Sequence, residues 1–257
     1  MTTYQLKACP IATVPAPGWL SFFGRNGTEM YPLVFYVWIV RGGGKIGLID
    51  TGLPIDAEDR RTLDAANQKV DKRCVYSDVV LLGDLLKREG IRPEQIDFVA
   101  ITQPITYHTG GLVPDLLPRA EVYISRAGVL EFLLENVGHP PRGFYFTETS
   151  WRFLYPLLLA NRLHLVDEET EIRPGIFFET TSGHHPGSAA VRIPTAQGIV
   201  GILETAFLQR NVDDELPVGV AEDAAACRRA IQRYKRLCDL VAADHDPSLA
   251  QRFTGKE

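Results

Sequence analysis

Apolar runs broken by glycine-rich turns divide the first part of the chain into strands and a helix. The run LVFYVWIV at 33–40 and the run KIGLID at 45–50 flank a short turn of glycines, which predicts a β-hairpin. In 79–89 the apolar positions recur at helical spacing and Gly90 follows them, which predicts a helix that ends at this glycine. A first strand is predicted at 4–14.

The rest of the chain alternates in the same way, and its second half repeats the first in outline. Two stretches rich in Pro, Gly and aromatic residues, 15–32 and 137–152, are predicted to be surface loops. The strands fall into two clusters with helices among them, which predicts two packed β-sheets with helices outside. The remaining predicted strands are 96–102, 120–125, 163–166, 176–180, 188–193, 199–203 and 240–243, and the remaining predicted helices are 126–136, 151–161 and 222–239.

Composition and charge narrow the class of protein. The 257 residues are 45% hydrophobic and 23% charged, as in a globular protein, and neither loop separates self-sufficient pieces, so one domain over 1–257 is predicted. A net charge of −5 without a basic cluster argues against nucleic-acid and anionic-membrane partners. The sequence has no signal-peptide pattern, no apolar run of membrane length and no C-x-x-C pair, so we expect a cytoplasmic protein with free thiols.

Residues with metal-binding side chains stand at the ends of four apolar strands. His108, His184, Glu204 and His245 each lie at or just after such an end, in a loop with small residues, Gly or Pro, or beside further carboxylates. Loops at the strand ends of a layered α/β protein can aim side chains into one crevice. Because imidazole and carboxylate are the usual ligands of zinc, iron and manganese, the pattern predicts a metal site.

Several longer blocks of sequence resemble one known superfamily. They are GLIDTGLP at 47–54, GIRPEQIDFVAIT at 90–102, EVYIS at 121–125 and PGIFFETTSGHHPGS at 174–188. In order and spacing they resemble the metallo-β-lactamase superfamily, and within it the N-acyl homoserine lactonases. The resemblance covers nearly the whole chain. It implies a four-layer αββα sandwich of the α/β class and metal-dependent hydrolysis of a small cyclic ester or amide.

The metal-binding motif of that superfamily, H-x-H-x-D-H, is altered in this chain. Gln103 and Ile105 stand where the first two histidines are expected, and Tyr107 stands in place of the aspartate. His108 matches the final histidine.

The other ligand positions of the superfamily are mostly kept. His184 and His245 match two further metal ligands, and Glu204 stands where a bridging aspartate is expected. By counting ligands, the resemblance implies one divalent ion rather than two, held by His108, His245 and Glu204. Zinc and iron are the expected metals, with manganese as a third candidate, and His184 either binds the same ion or acts from nearby.

Two residues are candidates for a direct part in the reaction. Tyr107 could add a phenolate ligand, and either Tyr107 or His184 could assist as acid, base or carbonyl polariser. A buried tyrosine that only forms a hydrogen bond is the simpler interpretation of Tyr107.

Four more residues are expected to support the site or the substrate. Asp50 is expected to bond loop amides or a nearby histidine, and Asp246 to orient the ring of His245. Gln103 would either hold substrate or fill the space of a histidine. Phe207 stands where the lactonases carry a tyrosine, so a hydroxyl is missing at this position.

Three functions therefore remain open at the level of sequence. The leading one is a metal-dependent hydrolase with a small-molecule substrate. The others are a non-catalytic binding protein of the same fold and a mononuclear iron redox enzyme, since two histidines and one carboxylate also describe such iron sites. Aromatic residues in the two loops indicate either an apolar pocket wall or a dimer contact, so a homodimer is a further alternative.

Overall fold

The first sheet contains the predicted hairpin as its second and third strands. The computed structural model describes residues 2–135 and 145–256. Six strands lie in the order β1 to β6. The pairs β1/β2 and β2/β3 are antiparallel, and the later pairs are parallel. The strands are β1 (Gln5–Pro17), β2 (Met30–Gly42), β3 (Lys45–Ile49), β4 (Ile96–Ile101), β5 (Glu121–Ser125) and β6 (Leu163–Val166).

The second sheet is built from the later part of the chain. Five strands lie in the order β11-β10-β9-β8-β7, all antiparallel except the pair β10/β11. They are β7 (Glu169–Arg173), β8 (Ile176–Thr180), β9 (Ala189–Thr195), β10 (Gly198–Leu203) and β11 (Leu240–Ala243).

Helices connect the strands. They are α1 (Gly18–Ser21), α2 (Ala57–Val70), α3 (Leu82–Arg88), α4 (Thr106–Thr109), α5 (Arg126–Glu135), α6 (Glu148–Leu159), α7 (Gln209–Asp213), α8 (Ala224–Leu237) and α9 (Leu249–Arg252), with a 3-10 helix at Pro93–Gln95. Within residues 2–135 and 145–256, no helix combines the length and the apolar character needed to cross a bilayer.

Strand β2 explains how the layers are held together. Its side chains alternate between two hydrophobic clusters: Val34, Tyr36, Trp38 and Val40 join a cluster with residues of both sheets, while Leu33, Phe35, Val37 and Ile39 join a cluster with the helices. A strand that is covered on both faces needs apolar residues at every position. The continuous run at 33–40 therefore reflects a sheet between two layers, and the predicted αββα sandwich is confirmed.

Most predicted elements are present, and the differences have local causes. The stretch 15–32, predicted as a loop, instead extends β1 to Pro17, forms α1 and begins β2 at Met30. Prolines fit there because β1 is an edge strand, where missing amide donors are tolerated. The loop predicted at 137–152 lies partly outside the described residues, and α6 begins within it at Glu148.

Among the elements that were not predicted, α2 and β7 are polar. In α2 the buried residue is Leu63, so the apolar periodicity is weak, although the Asp56 side chain caps the helix by accepting from the amides of Glu58 and Asp59. Strand β7 (ETEIR) buries Ile172 and lies at the edge of its sheet.

The Gly110-Gly111 pair lets two loops touch at the end of the first sheet. A Cβ on Gly110 would lie 2.1 Å from the backbone nitrogen of Pro54. The Gly110 amide donates to the carbonyl of Gly52 at 2.8 Å, and the Thr51 amide donates to the carbonyl of His108 at 2.8 Å. This close packing brings α4 against the loop that follows β3.

We expect Gly110→Ala to destabilise the protein, because the added methyl group meets backbone atoms that cannot rotate away. The free energy of unfolding should fall by roughly 3 kcal/mol, and the melting temperature by roughly 10 °C. Gly27→Ala is the matched control, since no heavy atom lies within 4 Å of the methyl group it would add. Equal melting temperatures of the two variants in a thermal scan would contradict the prediction.

Candidate metal centre

The first histidine of the candidate site is held by a buried carboxylate. His108 lies in α4, and its Nδ1–H donates to Oδ2 of Asp50 at 2.7 Å. The Asp50 carboxylate is fixed in turn by Thr102, whose amide and hydroxyl donate to it at 2.8 and 2.7 Å. A carboxylate bound to one ring nitrogen fixes the tautomer and orientation of a histidine that binds metal through the other. The expected role of Asp50 agrees with this geometry.

The other ring nitrogen of His108 has the properties of a free ligand. Nε2 is buried and has no hydrogen-bond partner among the described residues. Burial alone would lower the pKa of His108, but the Asp50 carboxylate raises it to about 9. In the metal-free protein this ring therefore carries a proton on Nε2 at neutral pH, which a metal ion must displace.

The end of β11 supplies a second histidine and a carboxylate. Nδ1–H of His245 donates to the carbonyl of Val34 at 3.3 Å, which leaves Nε2 as the ligand nitrogen. Oδ1 of Asp244 accepts from the indole N–H of Trp38 at 3.3 Å, while Oδ2 is buried without a partner in the described part of the chain. Burial and the nearby Asp50 carboxylate raise the pKa of Asp244 to about 7.

These side chains form one compact group. One ligand atom from each of His108, Asp244 and His245 lies within 4.8 Å of the other two, and all three residues are buried. A divalent ion at about 2.1 Å from each ligand atom would require these atoms to lie roughly 4 Å or less from one another. The side chains would therefore need to move only slightly. Two imidazoles, a carboxylate and unpartnered buried ligand atoms therefore fit a metal ion of the zinc, iron or manganese type.

Glu204 and His184 lie beside this group. Both oxygens of Glu204 are buried without a hydrogen bond of normal geometry from any described residue, and Nε2 of His184 lies 3.6 Å from Oε1. Burial raises the pKa of Glu204 to about 8, although His108 and the nearby Ser188 hydroxyl oppose this rise. The carboxylate in the compact group is thus Asp244, where the sequence led us to expect Glu204.

The aspartate expected to orient His245 has other partners. Oδ2 of Asp246 accepts from the amide of Gln209 at 2.8 Å, and Oδ1 accepts from the amide and hydroxyl of Ser248 at 3.0 and 2.6 Å. The carbonyl of Val34 holds the His245 ring instead. Asp246 shapes the turn after β11, and the ligand-type aspartate is Asp244 on the other side of His245.

A cavity of about 270 Å³ opens next to the group. His184, Tyr107 and His245 line one part of it, together with the Phe207 ring, whose centroid lies 5.0 Å from that of His184 and 5.3 Å from that of His245. The other walls are mainly apolar and include Val14, Leu20, Leu33, Ile105, Val70 and Val220. A cavity of this kind suits a small apolar ligand with one polar end.

Two residues at altered motif positions lie within this region. Burial, with the Glu204 carboxylate nearby, raises the pKa of the Tyr107 phenol, so this hydroxyl is protonated at neutral pH in the metal-free protein and is not a phenolate. Gln103 is fully buried, and neither atom of its side-chain amide has a hydrogen-bond partner within the ranges that the structure covers.

His185 is a further residue of the cavity wall, which the sequence did not single out. His185 is 4% exposed and lines the cavity, and burial lowers the pKa of its ring to about 4. Its neighbour His184 lines the same cavity, so both residues of the doublet at 184–185 face it.

Replacing Asp50 should weaken metal binding, because His108 would lose the bond that orients its ring. Asp50 has φ = 61°, and Asn also tolerates this conformation, so Asp50→Asn removes the charge without backbone strain. We expect the dissociation constant for zinc, measured by competition with a chelator, to rise about 10- to 100-fold. Asp246→Asn is the control and should leave this constant unchanged; equal weakening in both variants would contradict the assignment.

The contribution of Glu204 to the stability of the metal-free protein should fall as the pH rises, because this carboxyl is buried and its pKa is raised. A carboxyl whose pKa is raised from 4.5 to about 8 binds more protons in the folded than in the unfolded state between these values. Its contribution is therefore complete below about pH 4.5 and is lost towards pH 8, at about 1.4 kcal/mol per pH unit. Relative to wild type, Glu204→Gln should raise the free energy of unfolding by roughly 2–4 kcal/mol at pH 8 and by little near pH 4.5.

Urea unfolding of chelator-treated protein at several pH values measures this difference. Glu168→Gln, at an exposed residue, is the control and should change stability by less than about 0.5 kcal/mol at each pH. A stabilisation by Glu204→Gln that does not vary with pH would contradict the assignment to this carboxyl.

Solved structures with similar folds include metal-dependent hydrolases. No family model matches the chain, and no curated protein matches it. An N-acyl homoserine lactone hydrolase with N-hexanoyl-L-homoserine at its catalytic metal centre shares 18% identity and a TM-score of 0.77, over 98% of this chain and 97% of that one.

Two further structures are similar over most of their length. The hydrolase AbOPH of the β-lactamase superfamily has 18% identity and a TM-score of 0.66, over 95% of this chain and 87% of that one. The dizinc quorum-quenching lactonase AidC has 15% identity and a TM-score of 0.59, over 96% of this chain and 91% of that one. At these identities the likeness concerns the fold, and the chain has the metallo-β-lactamase fold.

Proposed function

We propose that this protein is a metal-dependent hydrolase that binds one divalent ion and cleaves a small cyclic ester or amide. His108, His245 and a carboxylate would hold the ion. Asp244 is the carboxylate best placed for this, with Glu204 and His184 beside it. The observation that carries the proposal is the pair of buried, unpartnered ligand atoms, Nε2 of His108 and Oδ2 of Asp244, next to His245.

Residues of the chain beside the ion would transfer protons in such a reaction. A bound ion would supply hydroxide near neutral pH and polarise the scissile carbonyl. Nδ1–H of His184 donates to the carbonyl of Val220 at 3.4 Å, so its Nε2 can accept a proton, and this nitrogen faces Glu204. Burial lowers the pKa of His184 to about 3 and raises that of Glu204 to about 8, so a proton resides on Glu204. This pair can give a proton to a leaving oxygen or nitrogen and take one back.

The number of available ligands favours one ion. A second ion beside the first would have His184 and Glu204 as its nearest described ligands, and the compact group of His108, Asp244 and His245 is already complete for one. AidC binds two zinc ions. Two histidines and one carboxylate with open coordination positions suffice for catalysis at a single metal.

A binding protein without catalysis is the second candidate. The protonated phenol of Tyr107 and the unpartnered amide of Gln103 suit recognition of a polar group without chemistry. Metal content together with turnover separates the two functions, because a binding protein would show affinity without hydrolysis.

His108→Ala tests the hydrolase directly, since it removes a central ligand. Wild-type protein loaded with zinc, iron or manganese should hold about one ion per chain by elemental analysis and hydrolyse N-hexanoyl-L-homoserine lactone. The variant should lose most of the metal and at least about 100-fold in kcat/KM. His164→Ala is the matched control, because His164 lies in β6 and stacks on Tyr123 of β5, away from the group. Wild-type protein that holds no metal after supplementation would refute the proposal.

A further inference from the structure

The indole of Trp38 connects the candidate metal centre to the core between the two sheets. Trp38 lies in β2 of the first sheet, and Asp244 follows β11 of the second sheet. The indole Nε1–H of Trp38 donates to Oδ1 of Asp244 at 3.3 Å, and both residues are buried. An indole N–H donates and never accepts, so it engages this carboxylate oxygen as an acceptor.

This bond leaves the two oxygens of Asp244 in different surroundings. Oδ1 is taken by the indole, whereas Oδ2 is buried without a partner among the residues that the structure describes. Asp244 also belongs to the compact group with His108 and His245. Because a hydrogen bond to one oxygen fixes the direction of the other, Oδ2 is the oxygen left for an ion.

The need of a buried indole for an acceptor does not by itself explain this pair. A backbone carbonyl would satisfy the N–H without burying a carboxylate, which is unfavourable for folding unless the carboxylate has a partner. The unpartnered Oδ2 beside two imidazoles supplies the reason to keep a carboxylate at this position, since all three groups can bind one cation.

Packing fixes the indole itself. Its ring centroid lies 5.1 Å from that of Phe253 and 6.1 Å from that of Tyr36, and all three residues belong to one cluster. The pairing of β2 with β3 places Trp38 opposite Ile49, the residue before Asp50. A side chain that is held on several sides can orient a metal ligand accurately.

We propose that Trp38 is a positioning residue for the metal ion, whose indole N–H holds Asp244 so that this aspartate binds the ion through Oδ2 alone. The proposal rests on the proposed function for the presence of the ion, but it requires no turnover. A carboxylate that binds through one oxygen occupies one position on the ion, which leaves other positions open for water and substrate.

Zinc affinity, measured by competition with a chelator, tests this role in a double-mutant cycle. Trp38→Phe removes the N–H and should raise the dissociation constant about tenfold. In the Asp244→Ala background the same substitution should add no further weakening, because its effect acts through the carboxylate. Equal weakening in both backgrounds would reveal a general structural effect and overturn the proposal.

Tyr36→Phe is the matched control for the loss of an aromatic hydrogen bond in the same strand. Its hydroxyl donates to the carbonyl of Asp246 at 2.9 Å and does not bond Asp244. This variant should bind zinc within about twofold of wild type. Weakening equal to that of Trp38→Phe would also contradict the assigned role.

Nitrogen-15 NMR of the wild-type protein gives a readout that does not depend on the folding of Trp38→Phe. The chain has three tryptophans, so the indole signals can be assigned with Trp19→Phe and Trp151→Phe. Zinc should shift the Nε1–H signal of Trp38 and leave that of Trp19, which is 41% exposed, unchanged. A Trp38 signal that zinc does not move would overturn the proposal.

The outcomes separate this role from the hydrolase function. Zinc binding that depends on Trp38 in a protein that hydrolyses no lactone would refute the hydrolase and leave the role of Trp38 standing. Lactone hydrolysis by zinc-loaded protein whose zinc affinity is unchanged in Trp38→Phe would do the reverse. Wild-type protein that binds no zinc would refute both.

Discussion

The bond between Asp50 and His108 is the interaction on which the site depends. It decides which nitrogen of His108 faces the other ligands, and it can form only because two loops meet at the same sheet edge. Parallel pairing of β3 with β4 places Ile49 opposite Ala100, so the residues that follow both strands emerge side by side. The missing side chain of Gly110 then lets α4 settle on the loop after Asp50. The orientation of His108 thus depends on the register of β3 and β4 and on the backbone contact at Gly110.

Electrostatics in this region favours a cation. Asp50, Asp244 and Glu204 are all buried, and the pKa values of Asp244 and Glu204 rise to about 7 and 8 because burial penalises their charged forms. His108 offsets part of this negative charge and, together with burial, lowers the pKa of His245. Concentrating carboxylates where they are poorly solvated is unfavourable for folding alone. A divalent ion would balance the negative charge of the carboxylates, and it would bind the ring of His245 in its neutral form. One bound ion would therefore offset the unfavourable electrostatics of both kinds of side chain.

The sequence predicted the layered fold better than the details of the site. The run at 33–40 is apolar at every position because both faces of β2 are covered, and this signal is local. His108, His184, Glu204 and His245 could be placed in one region because each follows a strand. Which carboxylate joins the compact group could not be predicted, because Asp244, His245 and Asp246 are consecutive and the chain turns after β11. The directions of these side chains depend on partners distant in sequence, namely Trp38 for Asp244 and the amide of Gln209 for Asp246.

The apolar residues around the centre restrict what can reach it. Phe35 and Phe207 contact the His245 ring, with centroids 4.4 and 5.3 Å from it, so little of that ring remains available besides the edge that carries Nε2. In such surroundings the dielectric constant is low, and a polar contact to a ligand is worth more than it would be in water. A few donors can then determine specificity, since most of the cavity wall offers only dispersion contacts. The position of each polar atom on a ligand, more than the length of its apolar arm, should decide whether the ligand reacts or only binds.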